Sequence, residues 1–190
     1  MASDRRTMIV EAATKSFSLF GYKATTMDQV ARLANVGKGT IYTFFKNKEE
    51  LFEEIISKLV KEMIAEAEAV IEPGLLFTEN VHRALTRLLA FRSQHQLMIK
   101  LVQEEKEMGT LAVSDMLRHV EDEIIAYLRK KIEIAIEKGA IPSGNTEVIS
   151  FLLLKMYIAL VSDWERDHEP LSSEQIAELM KIFLVGGQPK

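Results

Sequence analysis

Residues 36–48 read VGKGTIYTFFKNK. Over about three helical turns this stretch offers the ammonium groups of Lys38, Lys46 and Lys48, the hydroxyls of Thr40 and Thr43, and the phenol of Tyr42. No base stands beside a nucleophile here, and no metal-ligand spacing is present. Cations and hydroxyls on one outward face suit phosphate oxygens and base edges, the chemistry of a nucleic-acid groove. Such a face must be carried by a helix anchored from behind. Ile41, with Phe44 or Phe45, provides the anchor, leaving Lys38, Gly39, Thr40, Tyr42, Thr43 and Lys46 outside.

The elements that position this face precede it. Thr26-Met27-Asp28-Gln29 has the form of a capping box, in which a Thr hydroxyl caps the helix start and Gln29 reaches back. Val30, Ala31 and Ala34 give that helix a short apolar face. Asn35-Val36-Gly37 then turns the chain, since Asn and Gly tolerate backbone angles that other residues resist. Two short helices joined by so short a turn form a helix-turn-helix, whose second helix lies in the major groove. Thr25 or Thr26 and the amides opening the earlier helix are placed for phosphate, as are Lys46 and Lys48. Arg5 and Arg6 add backbone or minor-groove contacts from an N-terminal arm. Asp28 is a departure, an acid close to where phosphate should lie.

The charge distribution agrees. The chain carries a net charge of −4, but residues 1–48 hold eight Lys or Arg against three Asp or Glu, leaving −9 on residues 49–190. A basic head on an acidic body suits one DNA-facing end.

The rest reads as helices. Asp4 to Phe20 places Ile9, Ala12, Ala13, Ser16, Phe17 and Phe20 on one face, and Gly21 stops it. A helix from about Lys48 to Ile71 carries a wide apolar stripe and ends at Pro73-Gly74. Residues 78–94 turn Val81, Ala84, Leu85, Leu88 and Phe91 inward. A short helix from Leu97 and a long one from about Ser114 to Lys138 follow. Residues 146–168 are apolar nearly all round, which predicts a helix buried on every side. A second capping box, Ser172-Ser173-Glu174-Gln175, opens a final helix in which Ile176, Leu179, Met180, Phe183 and Leu184 follow at helical spacing. So much apolar surface on the last two helices calls for a partner, most economically a two-fold homodimer.

Composition narrows the classes further. Cysteine is absent, which removes disulfides and thiolate chemistry. No signal-peptide pattern opens the chain. The longest apolar stretch, Val148 to Val161, is interrupted by Ser150 and Lys155 and falls short of the ~20 residues that span a bilayer. A cytoplasmic protein without membrane contact is expected. Two Glu-x-x-His pairs, Glu79/His82 and Glu165/His168, are half the ligand set of a di-iron bundle, so a helical-bundle metalloenzyme is the alternative. Both pairs sit at helix ends rather than mid-helix, and no metal or other cofactor is expected.

Phe20-Gly21-Tyr22, Thr25-Thr26, Gly39-Thr40-Ile41-Tyr42 and Phe44-Phe45-Lys46-Asn47-Lys48-Glu49-Glu50-Leu51 follow in an order and spacing that closely resemble the DNA-binding domain of TetR-family transcriptional regulators. The resemblance covers the first quarter of the chain; the remainder matches in helical layout and length. It implies an all-α fold of about nine helices, with a three-helix DNA-binding head at residues 1–48 on a larger effector-binding and dimerisation body at residues 49–190. In the family, positions matching Thr40, Tyr42 and Lys46 or Lys48 commonly touch DNA. The resemblance further implies a regulator, most simply a repressor, released from a palindromic operator by a small and largely apolar effector, and dimerised through its last two helices. The helices from residue 78 to 168 would wall the effector site, with Phe91, Met98, Leu101, Met116, Tyr127, Met156, Tyr157 and Trp164 as candidate lining. Lys155 adds a charge inside an apolar run, which needs a carboxylate across a dimer interface or an anionic ligand group.

Overall fold

The computed structural model describes residues 2–185. The side chains of Leu85, expected to face inward, and of Met180 and Leu184, named in the apolar spacing of the last helix, lie outside the described residues. Among those described there are nine α-helices and no strands: α1 Ala2–Ala24, α2 Met27–Leu33, α3 Lys38–Phe44, α4 Lys48–Ala69, α5 Phe77–Gln94, α6 Gln96–Met108, α7 Leu111–Glu137, α8 Thr146–Ile158 and α9 Ser173–Val185. The all-α expectation holds. The chain folds as two compact units, Met1–Lys61 with Arg92–Val120, and Glu62–Phe91 with Glu121–Lys190.

In the first unit, α1 buries Ile9, Ala13, Ser16 and Phe17, and α6 is its most extensive neighbour. Gly21 interrupts the helical path at φ +84°, and residues 22–24 make a further turn beyond it. Phe20, expected on the inward face, is 56% exposed. Tyr22 takes the inward place instead, its ring 5.8 Å from Phe17 and 4.7 Å from Phe52. Ile41 and Phe45 are buried behind α3, with Leu51, Phe52, Ile55 and Ile56 of α4 also in the core. Of the two phenylalanines offered as the anchor, Phe45 is the fully inward one.

The second unit packs around Ile132, Ala135, Ile141, Leu153 and Ile176, flanked by Phe77, Val81, Leu128, Met156 and Tyr157. The capping box at Ser172 forms: the Ser172 amide donates to Gln175 and the Gln175 amide to the Ser172 hydroxyl. The expectation of one continuous helix over residues 146–168, buried on all sides, is overturned twice. From Ala159 to Asp163 the backbone widens into a π turn, and Trp164–Arg166 then tightens to 3-10 geometry. Each change re-aims the side chains that follow, and Trp164 emerges exposed, stacked 4.0 Å from His168. On α8 itself Val148, Phe151 and Leu152 face outward.

Candidate nucleic-acid interface

The face expected to read DNA is held by local bonds that the sequence dictates. Thr26 is the N-cap of α2, its hydroxyl accepting from the Gln29 amide while the Gln29 side chain accepts from the Thr26 amide. Asn35, at φ +51°, makes the turn after α2. In α3, Tyr42 and Thr43 are exposed beside Lys38 and Gly39, Thr40 is half-buried, and Lys46 is exposed just past the helix end. The Thr43 hydroxyl donates to the Thr40 carbonyl at 2.7 Å, which orients it along the helix. α3 thus presents an outer face of hydroxyls, one phenol and two lysines.

Other expected contacts are committed elsewhere. Thr25 is corrected as a side-chain contact: it is fully buried, its hydroxyl 3.0 Å from that of Ser16 and donating to the Gly21 carbonyl at 2.8 Å. The half-buried Lys48 donates to the carbonyls of Tyr22 and Thr25 at 2.9 and 3.0 Å, and its ammonium sits 4.0 Å from the centre of the Tyr22 ring. Burial lowers its pKa, while the neighbouring carboxylates of Glu49 and Glu104 oppose the shift. Lys48 therefore ties α4 to the end of α1, and its charge is not presented at the surface as Lys46 presents its own. Arg6 pairs with Glu54 and lies over the Phe45 ring, whereas Arg5 is exposed.

Asp28 has a defined partner. Its carboxylate accepts from Lys38 at 2.9 Å, linking α2 to the first residue of α3. That bond, reinforced by the carboxylate's charge, raises the Lys38 pKa. The acid that looked out of place sits beside the one cation at the head of α3.

The candidate effector residues divide between the units. Met98, Leu101 and Met116 belong to the first; Phe91, Tyr127, Lys155, Met156, Tyr157 and Trp164 belong to the second. Leu101 is buried among the core of its unit, and Met156 and Tyr157 pack on the second unit's core. The Tyr127 hydroxyl donates to Glu68, which also pairs with Lys131. Burial first, and that carboxylate second, push the Tyr127 pKa up. Lys155 finds its counter-charge within the chain, in Glu121, with the Phe151 ring 5.7 Å away.

The metalloenzyme alternative finds no support. Glu79 accepts from the Leu76 amide at the start of α5, and His168 stacks on Trp164. Among the described residues no three His, Cys, Asp or Glu come together as a metal site. None of their helices is long and apolar enough to cross a membrane.

Comparison with known proteins supplies the family. A family model described as bacterial regulatory proteins, tetR family, matches residues 9–55, the stretch from α1 into α4. YhgD of Bacillus subtilis (strain 168), an uncharacterized HTH-type transcriptional regulator, is 56% identical over 187 residues, 98% of each chain. The HTH-type transcriptional repressor BepR of Brucella suis is 25% identical over 170 residues, covering 86% of this chain and 81% of its own. Among solved structures, Salmonella enterica GusR superposes with a TM-score of 0.73 at 24% identity, covering 96% of this chain and 94% of that one. With a relative so similar along its whole length, the chain belongs to the tetR family of bacterial regulatory proteins: a DNA-binding transcriptional regulator, not an enzyme.

Proposed function

We propose that this regulator is a repressor that occupies a roughly palindromic operator as a homodimer and leaves it when a small, largely apolar effector binds the body. Residues 1–48 are then the DNA-binding domain, and residues 49–190 hold the effector and the dimer contact. The observation that carries the reading is the outer face of α3, where Tyr42, Thr43 and Lys46 stand exposed on a helix anchored by the buried Ile41 and Phe45. Tyr42 and Thr43 would read base edges, with Thr26 and Lys46 on phosphate and Lys38 held beside them by Asp28. That BepR is named a repressor supports that sign of control. For the dimer, α8 and α9 leave Phe151, Leu152, Ile182 and Phe183 exposed, an apolar stripe of the kind that marks an association surface.

The test is binding to duplexes enriched by the protein from a randomised pool, measured against salt. Affinity should fall steeply as salt rises, because lysines on phosphates release counterions. Lys46→Ala should weaken enriched and arbitrary duplexes alike, by about 1 kcal/mol, whereas Tyr42→Ala should cost about 1–3 kcal/mol on the enriched duplex alone. Binding indifferent to salt, or equal losses for the two variants on both duplexes, would refute this division of labour.

A further inference from the structure

Glu104 is a residue of α6 whose chemistry conflicts with its place. It is a carboxylate only 1% exposed, on a helix whose other buried residues are Leu97 and Leu101. Its two oxygens accept from the backbone amides of Tyr22 and Lys23, at 2.6 and 2.9 Å, across some eighty residues of sequence. Those amides are the ones that the break at Gly21 leaves without a helical partner. Gly21 is itself suited to the approach: its φ of +84° favours glycine, and a Cβ there would collide with the Glu104 carboxylate. Lys48 supplies positive charge from the other side while holding the Tyr22 and Thr25 carbonyls. Residues 21–25 are therefore gripped from α6 through their amides and from α4 through their carbonyls. The next residue, Thr26, is the cap of α2, and α2 packs on α3.

We infer that Glu104 is a positioning residue for sequence reading: by capping the Tyr22 and Lys23 amides from α6, it fixes where α1 stops and hence where α2 and α3 stand. A buried amide without an acceptor is costly, so the segment has one satisfied position and no graded alternatives near it. The carboxylate touches no DNA. It acts through the placement of α3, so its loss misaligns the reading face without removing any cation from it. This rests on the DNA-binding reading and is independent of the effector.

The measurement is the ratio of affinities for two probes, a duplex enriched from a randomised pool by the wild-type protein and a duplex of arbitrary sequence. A variant that merely folds less well loses both in proportion, and the ratio stays fixed. Glu104→Gln accepts from one amide and turns its own NH2 group toward the other. It should lose about 10- to 100-fold on the enriched duplex, the worth of one charge-assisted hydrogen bond, and less than about threefold on the arbitrary one. Amide exchange at Tyr22 and Lys23 should accelerate as well. Where Glu104→Gln is too unstable to bind either probe, Glu104→Asp makes the same comparison, keeping the charge but drawing the oxygens back by one methylene; the ratio should fall again. Equal losses on both probes, or no loss on either, would overturn the inference. If the wild-type protein enriches no duplex at all, the DNA-binding reading fails and takes this inference with it.

Discussion

The DNA-reading end and the α8–α9 end solve opposite surface problems. In the head, three polar side chains that go inside are answered: Ser16 by Thr25, Thr25 by the Gly21 carbonyl, and Glu104 by two amides. On the outer face of α3, cations and hydroxyls are left outside. At α8 and α9 the polar chemistry is plain, with Asn145 capping α8 and Ser172 capping α9, and apolar side chains are left outside, Leu152 at 56% and Phe183 at 67% exposed. A surface that reads DNA needs its geometry fixed from within, because its partner is hydrated and specificity depends on placement. A surface that associates with its own copy needs mainly apolar area and a partner to cover it.

The largest effect should come from breaking the apolar end. Leu152→Asp or Phe183→Asp would carry a charge into the proposed dimer contact, at a cost of several kcal/mol. Sedimentation at micromolar concentration should then show a monomer of unchanged helix content. A variant that stays a DNA-competent dimer would place the contact elsewhere.

A smaller effect should come from the head's outer face. Asp28 and Lys38 are both exposed, so their ion pair adds little to stability, and its consequence falls on DNA. Asp28→Asn should free the Lys38 charge for phosphate, strengthening binding to arbitrary duplexes and steepening the salt slope by about one. Lys38→Ala added to that variant should remove the gain. An unchanged salt slope in Asp28→Asn would show that Lys38 meets phosphate regardless of its acidic neighbour.

The smallest effect tests the head's interior. The Tyr22 hydroxyl donates to Glu49 at 2.5 Å, and this bond foremost lowers the Glu49 pKa. A carboxylate lowered on folding contributes stability that is complete above its unfolded value of about 4.3, and loses it as pH falls through the lower folded value. Tyr22 is raised, by burial first and Glu49 second, so its contribution is complete below the ordinary tyrosine value of about 10 and fades as pH rises toward the folded one. Tyr22→Phe should flatten both limbs of a Tm–pH curve. In acid the change should be no more than about 2 °C, since Glu49 is exposed and screened. An acid limb of unchanged slope would assign the pH dependence to other carboxylates.

What could be read from the chain was what neighbours in sequence decide. The capping boxes at Thr26 and Ser172, the turn at Asn35 and the anchor beneath α3 each involve residues a few positions apart, and the structure forms all of them. What escaped depends on distant partners. Thr25 and Thr26 look equivalent in sequence, yet one faces Ser16 in the core and the other caps α2. Phe20 continues the apolar spacing of α1 yet lies outward, while Tyr22 beyond the break at Gly21 is buried, and the widening at Ala159 is invisible to a hydrophobic pattern that runs all round the helix. Lys155 was legible as a charge in need of a partner, but Glu121 lies on another helix. Glu104 left a signal that went unused: Leu97, Leu101 and Glu104 fall on one helical stripe, and an acid continuing a buried stripe implies hidden donors.

The grip on residues 21–25 also bears on how freely such a head could be transplanted. A chimera cut at residue 48 would carry the Tyr22 and Lys23 amides away from their acceptor, since the carboxylate that completes them resides fifty-six positions beyond the cut. Joined to a foreign body, the head would need an acid supplied at the matching point of the new sixth helix, or those two amides would lose their acceptor. Breakpoints chosen to keep residues 92–120 with the head avoid that problem, because the compact unit includes them both.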